Sequence, residues 1–221
     1  QRVVGEQPQN IEFHRGLSQS LIRAKRNDEG AAAWARTVAL PDASDEDRVE
    51  YADALIRAGN WAKAETILTA IPPTHETFKR YRLEAIVADS KQQWKKADSF
   101  YEIAVGLTTS PAPVLNNWGY SKLTRGDYKD AERLFTSAIV QDGGLFTAKN
   151  NLVLSRGAQR NYNLPVIPMD QTERAQLLHT MALSAIKQGD VETGKGLLRD
   201  AIETHPQHFE AASRALAALE A

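Results

Sequence analysis

Five histidines and no cysteine set the limits on the chemistry this chain can do. Without thiols there are no disulfides, no thiolate metal ligands and no cysteine nucleophile. His205 and His208 lie three residues apart, a spacing that suits one helix face or one cap. A structural or catalytic zinc needs three or four protein ligands, so this pair alone falls short. His205–Pro206 fits better as the turn before a final helix. His75–Glu76 lacks the second histidine that a zinc-peptidase helix supplies. No serine sits in a glycine-flanked nucleophile elbow, and no glycine-rich loop links a strand to a helix. The acidic residues are scattered as they would be on solvated helix faces. The expectation is a protein that is not an enzyme and holds no cofactor and no metal.

Charge narrows the partners. The chain of 221 residues carries 27 basic and 28 acidic side chains, a net charge of −1. A protein that grips a nucleic-acid backbone needs a basic excess, so no nucleic acid is expected. The cluster Arg23, Lys25, Arg26 is then the solvated end of a helix. Hydrophobic residues at 42% and charged residues at 25% are those of an ordinary folded domain. No apolar run approaches the roughly 20 residues that cross a bilayer. The chain starts at Gln1 without an initiator methionine, and the expectation is that an upstream segment, including any targeting signal, has been removed.

The elements that position these side chains come from a repeat. Trp61, Trp94, Tyr128 and Tyr162 lie 33, 34 and 34 residues apart, in the contexts R-A-G-N-W-A-K-A-E, K-Q-Q-W-K-K-A-D and R-G-D-Y-K-D-A-E. A fifth copy, K-Q-G-D-V-E-T-G-K, puts Val191 in the same slot. Small residues recur where two helices of a hairpin would touch: Ala52 with Ala64, Ala85 with Ala97, Gly119 with Ala131, Ala182 with Gly194. Gly59, Gly126 and Gly189 suit the left-handed turn that ends a helix. Such a helix–turn–helix period resembles the tetratricopeptide repeat. The resemblance implies an all-α fold, a superhelix of antiparallel helix pairs (an α-solenoid) closed by a C-terminal capping helix.

By repeat position, the first helix of each pair lines a concave wall. Its expected residues are Val49, Asp53 and Ile56, then Arg82, Ile86 and Asp89. Asn116, Asn117, Tyr120 and Leu123 follow, with Asn150, Asn151 and Leu154, and finally His179, Leu183 and Ile186. The apolar members offer anchoring area, and the amides can pair with an extended peptide backbone. In other tetratricopeptide proteins asparagine at this position forms a ladder along bound peptide, which the resemblance implies here for Asn117 and Asn151. The alternative is that these amides cap or cross-link neighbouring helices. Basic residues are sparse at wall positions, so a cationic clamp for a terminal carboxylate is not evident.

Several stretches depart from the repeat. Residues 1–10 form a polar, flexible lead-in. Residues 11–44 form a degenerate first pair, broken near Asn27–Asp28–Glu29–Gly30. Repeats fill 45–160. Over 161–170 (N-Y-N-L-P-V-I-P-M-D), Pro165 and Pro168 forbid a regular second helix. The segment is either the extended connector of a decayed repeat or an apolar strap or hinge that touches a partner. A last repeat spans 171–206. The capping helix, within 207–221, aligns Phe209, Ala212, Leu216 and Leu219 on one side.

The C-terminal stretch from N-N-W-G-Y-S-K-L-T-R-G-D-Y-K-D-A-E-R-L-F-T-S-A-I through N-L-P-V-I-P to E-R-A-Q-L-L-H-T-M-A-L-S-A-I-K-Q-G-D-V-E-T-G-K resembles TadD-type proteins of bacterial tight-adherence (Flp) pilus systems. That resemblance covers about residues 80–220. It implies a pilotin, a periplasmic lipoprotein on the outer membrane that helps the pilus secretin assemble. Its partner would be a secretin subunit, and its link to membrane a lipidated cysteine preceding Gln1. The alternative is a general scaffold or chaperone for another cytoplasmic or cell-envelope complex.

Overall fold

The computed structural model describes residues 9–220, and all of their regular structure is helical, with no strand among them. Residues 1–8 of the expected lead-in lie outside the described residues; Asn10 instead caps the first helix, accepting from the amides of Glu12 at 3.1 Å and Phe13 at 3.3 Å. The chain divides into two compact units, one ending at Thr108 and one beginning at Thr109. The boundary falls inside the stretch of expected repeats, after the third hairpin.

Unit 1 is three helix hairpins in series: α1 (Ile11–Arg23) with α2 (Asn27–Thr37), α3 (Asp45–Arg57) with α4 (Trp61–Thr69), and α5 (Phe78–Ser90) with α6 (Trp94–Gly106). Unit 2 holds α7 (Ala112–Thr124) with α8 (Tyr128–Gln141), then α9 (Phe146–Ala158), α10 (Gln171–Lys187) with α11 (Val191–Thr204), and α12 (Glu210–Glu220). No helix among the described residues is long and apolar enough to cross a membrane.

Each hairpin, and the exit of α9 into the segment that follows, turns on one residue in the left-handed region. Gly59, Gly126 and Gly189 take φ of 76°, 82° and 84°. Lys25, Gln92 and Arg160 take 58°, 56° and 58° at the same place, although a side chain there costs of the order of 1 kcal/mol. Lys25 corrects the first pair. The chain breaks at Ala24–Arg26, and Asn27–Gly30 opens α2 rather than interrupting a helix. Gly30 is there for closeness: a Cβ on it would lie 2.5 Å from Ile22 Cδ1. It stands 34 residues before Ala64, in the small slot of a complete repeat.

The small slots in unit 2 serve the same purpose. A Cβ on Gly119 would meet Phe135 Cε1 at 2.6 Å, and one on Gly194 would meet Ile186 Cγ1 at 2.4 Å. Residues 161–170 form no helix and pack as an extended strap. Tyr162, Leu164, Ile167 and Met169 turn onto Val153, Leu177 and Met181, while Val166 is fully exposed. The strap ends in a capping box of Asp170 and Glu173. Lys149 of α9, 2% exposed, holds Glu173 Oε2 at 2.7 Å. At the far end α12 lays Phe209, Ala212, Leu216 and Leu219 over Leu178, Ala182, Leu198 and Ala201, as a terminal helix must.

Candidate peptide-binding groove

In unit 2 the three successive first helices α7, α9 and α10 enclose a groove of about 680 Å³. Helical spacing supplies its walls. Tyr120, Leu123 and Thr124 come from adjacent turns of α7, and Leu154 and Ala158 from α9. Thr180, Leu183, Ser184 and Lys187 follow the i, i+3, i+4, i+7 line of α10, with Gln188 beyond; Tyr128 closes one end from α8. Tyr120 is 54% exposed and Leu183 is 46% exposed, unusually open for large apolar side chains.

The floor is fixed by close contact. A Cβ on Gly157 would lie 2.3 Å from Ser184 Oγ, so only glycine lets α9 and α10 meet there. Gln188 Nε2 donates to the Gly157 carbonyl, and Arg160 donates to the Gln188 carbonyl at 3.1 Å. Ser155 Oγ donates to the Tyr128 carbonyl at 2.9 Å, which seats the start of α8 against α9.

The asparagines lie closer to the helix N-termini and bridge helices. Asn151 Nδ2 donates to Asn116 Oδ1 at 3.0 Å, with both residues buried. Thr180 Oγ1 donates to Asn150 Oδ1 at 2.8 Å. One rung thus repeats: an acceptor on one first helix, and a donor on the next. Asn117 is half-buried. The arrangement is that of a cross-link between helices, the alternative weighed against a ladder for peptide.

The remaining expected wall residues have varied surroundings. Val49 is fully buried in the core of unit 1, and Ile56 packs against that core. Ile186 turns toward Gly194 of α11, into the seam of its hairpin. Asp53 lies 3.3 Å from Arg57 and 3.5 Å from Lys79, and Lys79 also reaches Glu50 at 2.5 Å. Asp89 accepts from the Tyr101 hydroxyl at 2.8 Å. Arg82 and Ile86 are half-buried. His179 packs its ring on Phe209, centroids 5.3 Å apart, and burial lowers its pKa. Tyr120, Leu123, Leu154 and Leu183 are the four that share the groove. Thr124, Ala158 and Lys187 were missed, though each stands four residues after one of those four.

The histidine candidates are dispersed. His75 faces Glu46 at 3.3 Å, His205 packs on Phe209 with centroids 4.9 Å apart, and His208 is 3.7 Å from Glu210. Among the described residues no three His, Cys, Asp or Glu are placed to hold a metal.

A groove walled by successive first helices of stacked hairpins defines a helical-repeat protein. Residues 176–208, covering most of α10 and α11, match the model of the tetratricopeptide repeat. No curated protein matches this chain by sequence. Solved structures match over nearly all of it. The Cut9–Hcn1 hetero-tetramer of the APC/C aligns at a TM-score of 0.68 and 12% identity, covering 99% of this chain and 44% of that one, so this chain spans under half its length. PilW, a widely conserved type IV pilus biogenesis factor, aligns at 0.64 and 14%, covering 96% and 86%. YrrB, a tetratricopeptide protein with an unusual peptide-binding site, aligns at 0.53 and 13%, covering 97% and 95%. At these identities the likeness establishes the fold. The fold is that of a tetratricopeptide-repeat solenoid.

Proposed function

We propose that this chain is a protein-binding adaptor that takes an apolar peptide segment into the groove of unit 2. The observation that carries the reading is the pair Tyr120 and Leu183, both about half exposed on the walls of one 680 Å³ groove. Large apolar side chains left open in a concave site are the usual anchors for a guest. The likeness to YrrB, a protein of the same fold that has a peptide-binding site, supports it. The role is one of recognition and not of catalysis. Leu183→Asp is expected to weaken peptide binding at least about tenfold, since it places a charge among anchor contacts. The melting temperature should stay within about 2 °C, because an exposed position contributes little to folding. Calorimetric titration beside thermal denaturation measures both, and unchanged affinity would remove the groove from the account.

The finer reading is a pilotin-like factor that assists the secretin of a tight-adherence pilus, held at the periplasmic face of the outer membrane. Its support is the resemblance of residues 80–220 to TadD-type proteins and the likeness to PilW. Pull-down of a secretin subunit from envelope extracts, and loss of that capture in Leu183→Asp, is the expected result. Metabolic labelling of the full-length protein with a fatty-acid analogue tests the anchor. The likeness to a subunit of a multi-protein assembly supports the second reading, a scaffold for a different complex, to which capture of other proteins without a secretin would point.

A further inference from the structure

The charge inside the groove is one-sided. Among its eleven lining residues there is no carboxylate, and the only ionised side chain is Lys187. Lys187 is exposed in the last turn of α10 and makes no ion pair among the described residues. The hydroxyls of Tyr128 and Ser184, which also line the groove, have no hydrogen-bond partner among the described residues. Helix C-termini meet at this end of the groove and would ordinarily favour a cation. Their carbonyls are instead bonded by the turns that follow. Asp127 donates to the Lys122 carbonyl at 2.9 Å, Asn161 to Arg156 at 3.0 Å and Asp190 to Ala185 at 3.0 Å. Among the lining residues the charge is therefore one ammonium beside two hydroxyl donors, with the Arg160 guanidinium held on the Gln188 carbonyl close by.

We infer that the guest of this groove is an apolar segment that carries an acidic side chain where it passes Lys187. The inference rests on the adaptor reading above and adds the chemistry of the partner. Apolar residues of the guest cover Tyr120, Leu154 and Leu183. A carboxylate at one end then meets the ammonium, with the Tyr128 and Ser184 hydroxyls able to donate to it or to the guest's backbone. A basic guest would bring a second cation to the same place without a counter-charge, so the site discriminates by sign as well as by fit.

Selection from a display library of random nine-residue peptides against the full chain tests this. The expected motif is a run of apolar residues flanked on one side by Asp or Glu. Changing that acid to its amide should weaken binding about two- to fivefold, the range of exposed ion pairs. Lys187→Glu is expected to move the selected flank from acidic to Lys or Arg, and Lys187→Gln to remove the preference while keeping the apolar run; circular dichroism checks that both variants fold. An apolar motif with no acidic flank, or one that Lys187→Glu leaves unchanged, overturns the inference while the adaptor reading stands. Failure of the chain to enrich any peptide overturns both.

Discussion

Helices α3 and α5 of unit 1 and helices α7, α9 and α10 of unit 2 all hold the first-helix position of a repeat, yet their side chains meet different fates. In unit 1, Glu50, Asp53, Arg57 and Lys79 bond to one another, and Glu50, Asp53 and Arg23 line a nearby cavity of about 280 Å³ together with Gln19, Ile22, Trp34 and Ala54. In unit 2, Tyr120 and Leu183 stand open beside the half-buried Leu123 and Leu154, with one free lysine. A repeat fixes where a side chain is placed but not whether it is satisfied. Where charges pair within the wall, a guest must displace them; where apolar area is left open, a guest gains by covering it. On the proposed reading, the guest therefore sits in unit 2.

Unit 2 nevertheless buries one ion pair, and removing half of it should give the largest effect. Lys149→Met leaves Glu173 without its counter-charge at the end of the strap. A fully buried orphan costs about 3–5 kcal/mol. The Glu173 side chain is 21% exposed, which brings the expected loss to about 2–3 kcal/mol in urea denaturation. Adding Glu173→Gln should recover part of it, because the amide still accepts in the capping box without carrying charge. If the double variant is no better than Lys149→Met, the lysine acts by packing and the apolar character of unit 2 is complete.

Unit 1 relies on charge, and pH exposes it. Asp47 is buried and receives Arg15 Nε at 2.7 Å and Nη2 at 2.7 Å, along with the Ser44 amide and hydroxyl. Burial pushes the carboxyl up, but the Arg15 hydrogen bonds, the Ser44 bonds and the guanidinium charge together leave its pKa below the ordinary value. A carboxylate lowered by folding adds stability that is complete above the unfolded pKa and is lost as pH falls through the folded one. Arg15→Ala should therefore cost about 1–3 kcal/mol near pH 7 by stranding that carboxylate. It should also flatten the acid limb of the stability curve from about pH 5 downward. An acid limb as steep as in the unaltered protein would assign the pH dependence to other carboxylates.

Asn151→Ala gives the next effect, and it decides between the two uses of the asparagines. The change leaves Asn116 Oδ1 buried without its donor, an expected loss of about 1–2 kcal/mol, whereas Asn117→Ala should cost little. Peptide affinity should be unaltered by Asn151→Ala. Weaker capture at unchanged stability would return this amide to the guest.

What the sequence made legible follows from what repeats. The aromatic slots and small residues recur every 33 or 34 positions because hairpins must nest, and they located α3 to α9; a copy after a shorter gap of 29 located α10 and α11, and the apolar line of Phe209, Ala212, Leu216 and Leu219 located the covering helix α12. Lys25, Gln92 and Arg160 were hidden because left-handed turns usually advertise themselves by glycine. Gly30 was misread because glycine marks close approach as well as chain breaks, and only a neighbour such as Ile22 distinguishes the two. The groove was half visible. Tyr120, Leu123, Leu154 and Leu183 follow from repeat position. Lys149 meets Glu173 across 24 residues, and Lys79 on Asp53 and Tyr101 on Asp89 come from other helices, so no local pattern announces them; only Arg57, at i+4 from Asp53, follows from helical spacing.

The smallest expected effect tests whether pairing is what closes the wall of unit 1. Lys79→Ala frees Glu50 and leaves Asp53 with Arg57 alone. These side chains are partly solvated, so stability should fall by less than about 1 kcal/mol, and less still in high salt. The informative change is in binding. With two carboxylates less compensated, the wall becomes acidic, and a fluorescent oligolysine peptide should bind the variant more tightly than the unaltered chain at low salt by about two- to fivefold. Should the unaltered chain bind that peptide equally well, the internal ion pairs would not be what denies unit 1 a guest, and the contrast with unit 2 would have to rest on apolar area alone.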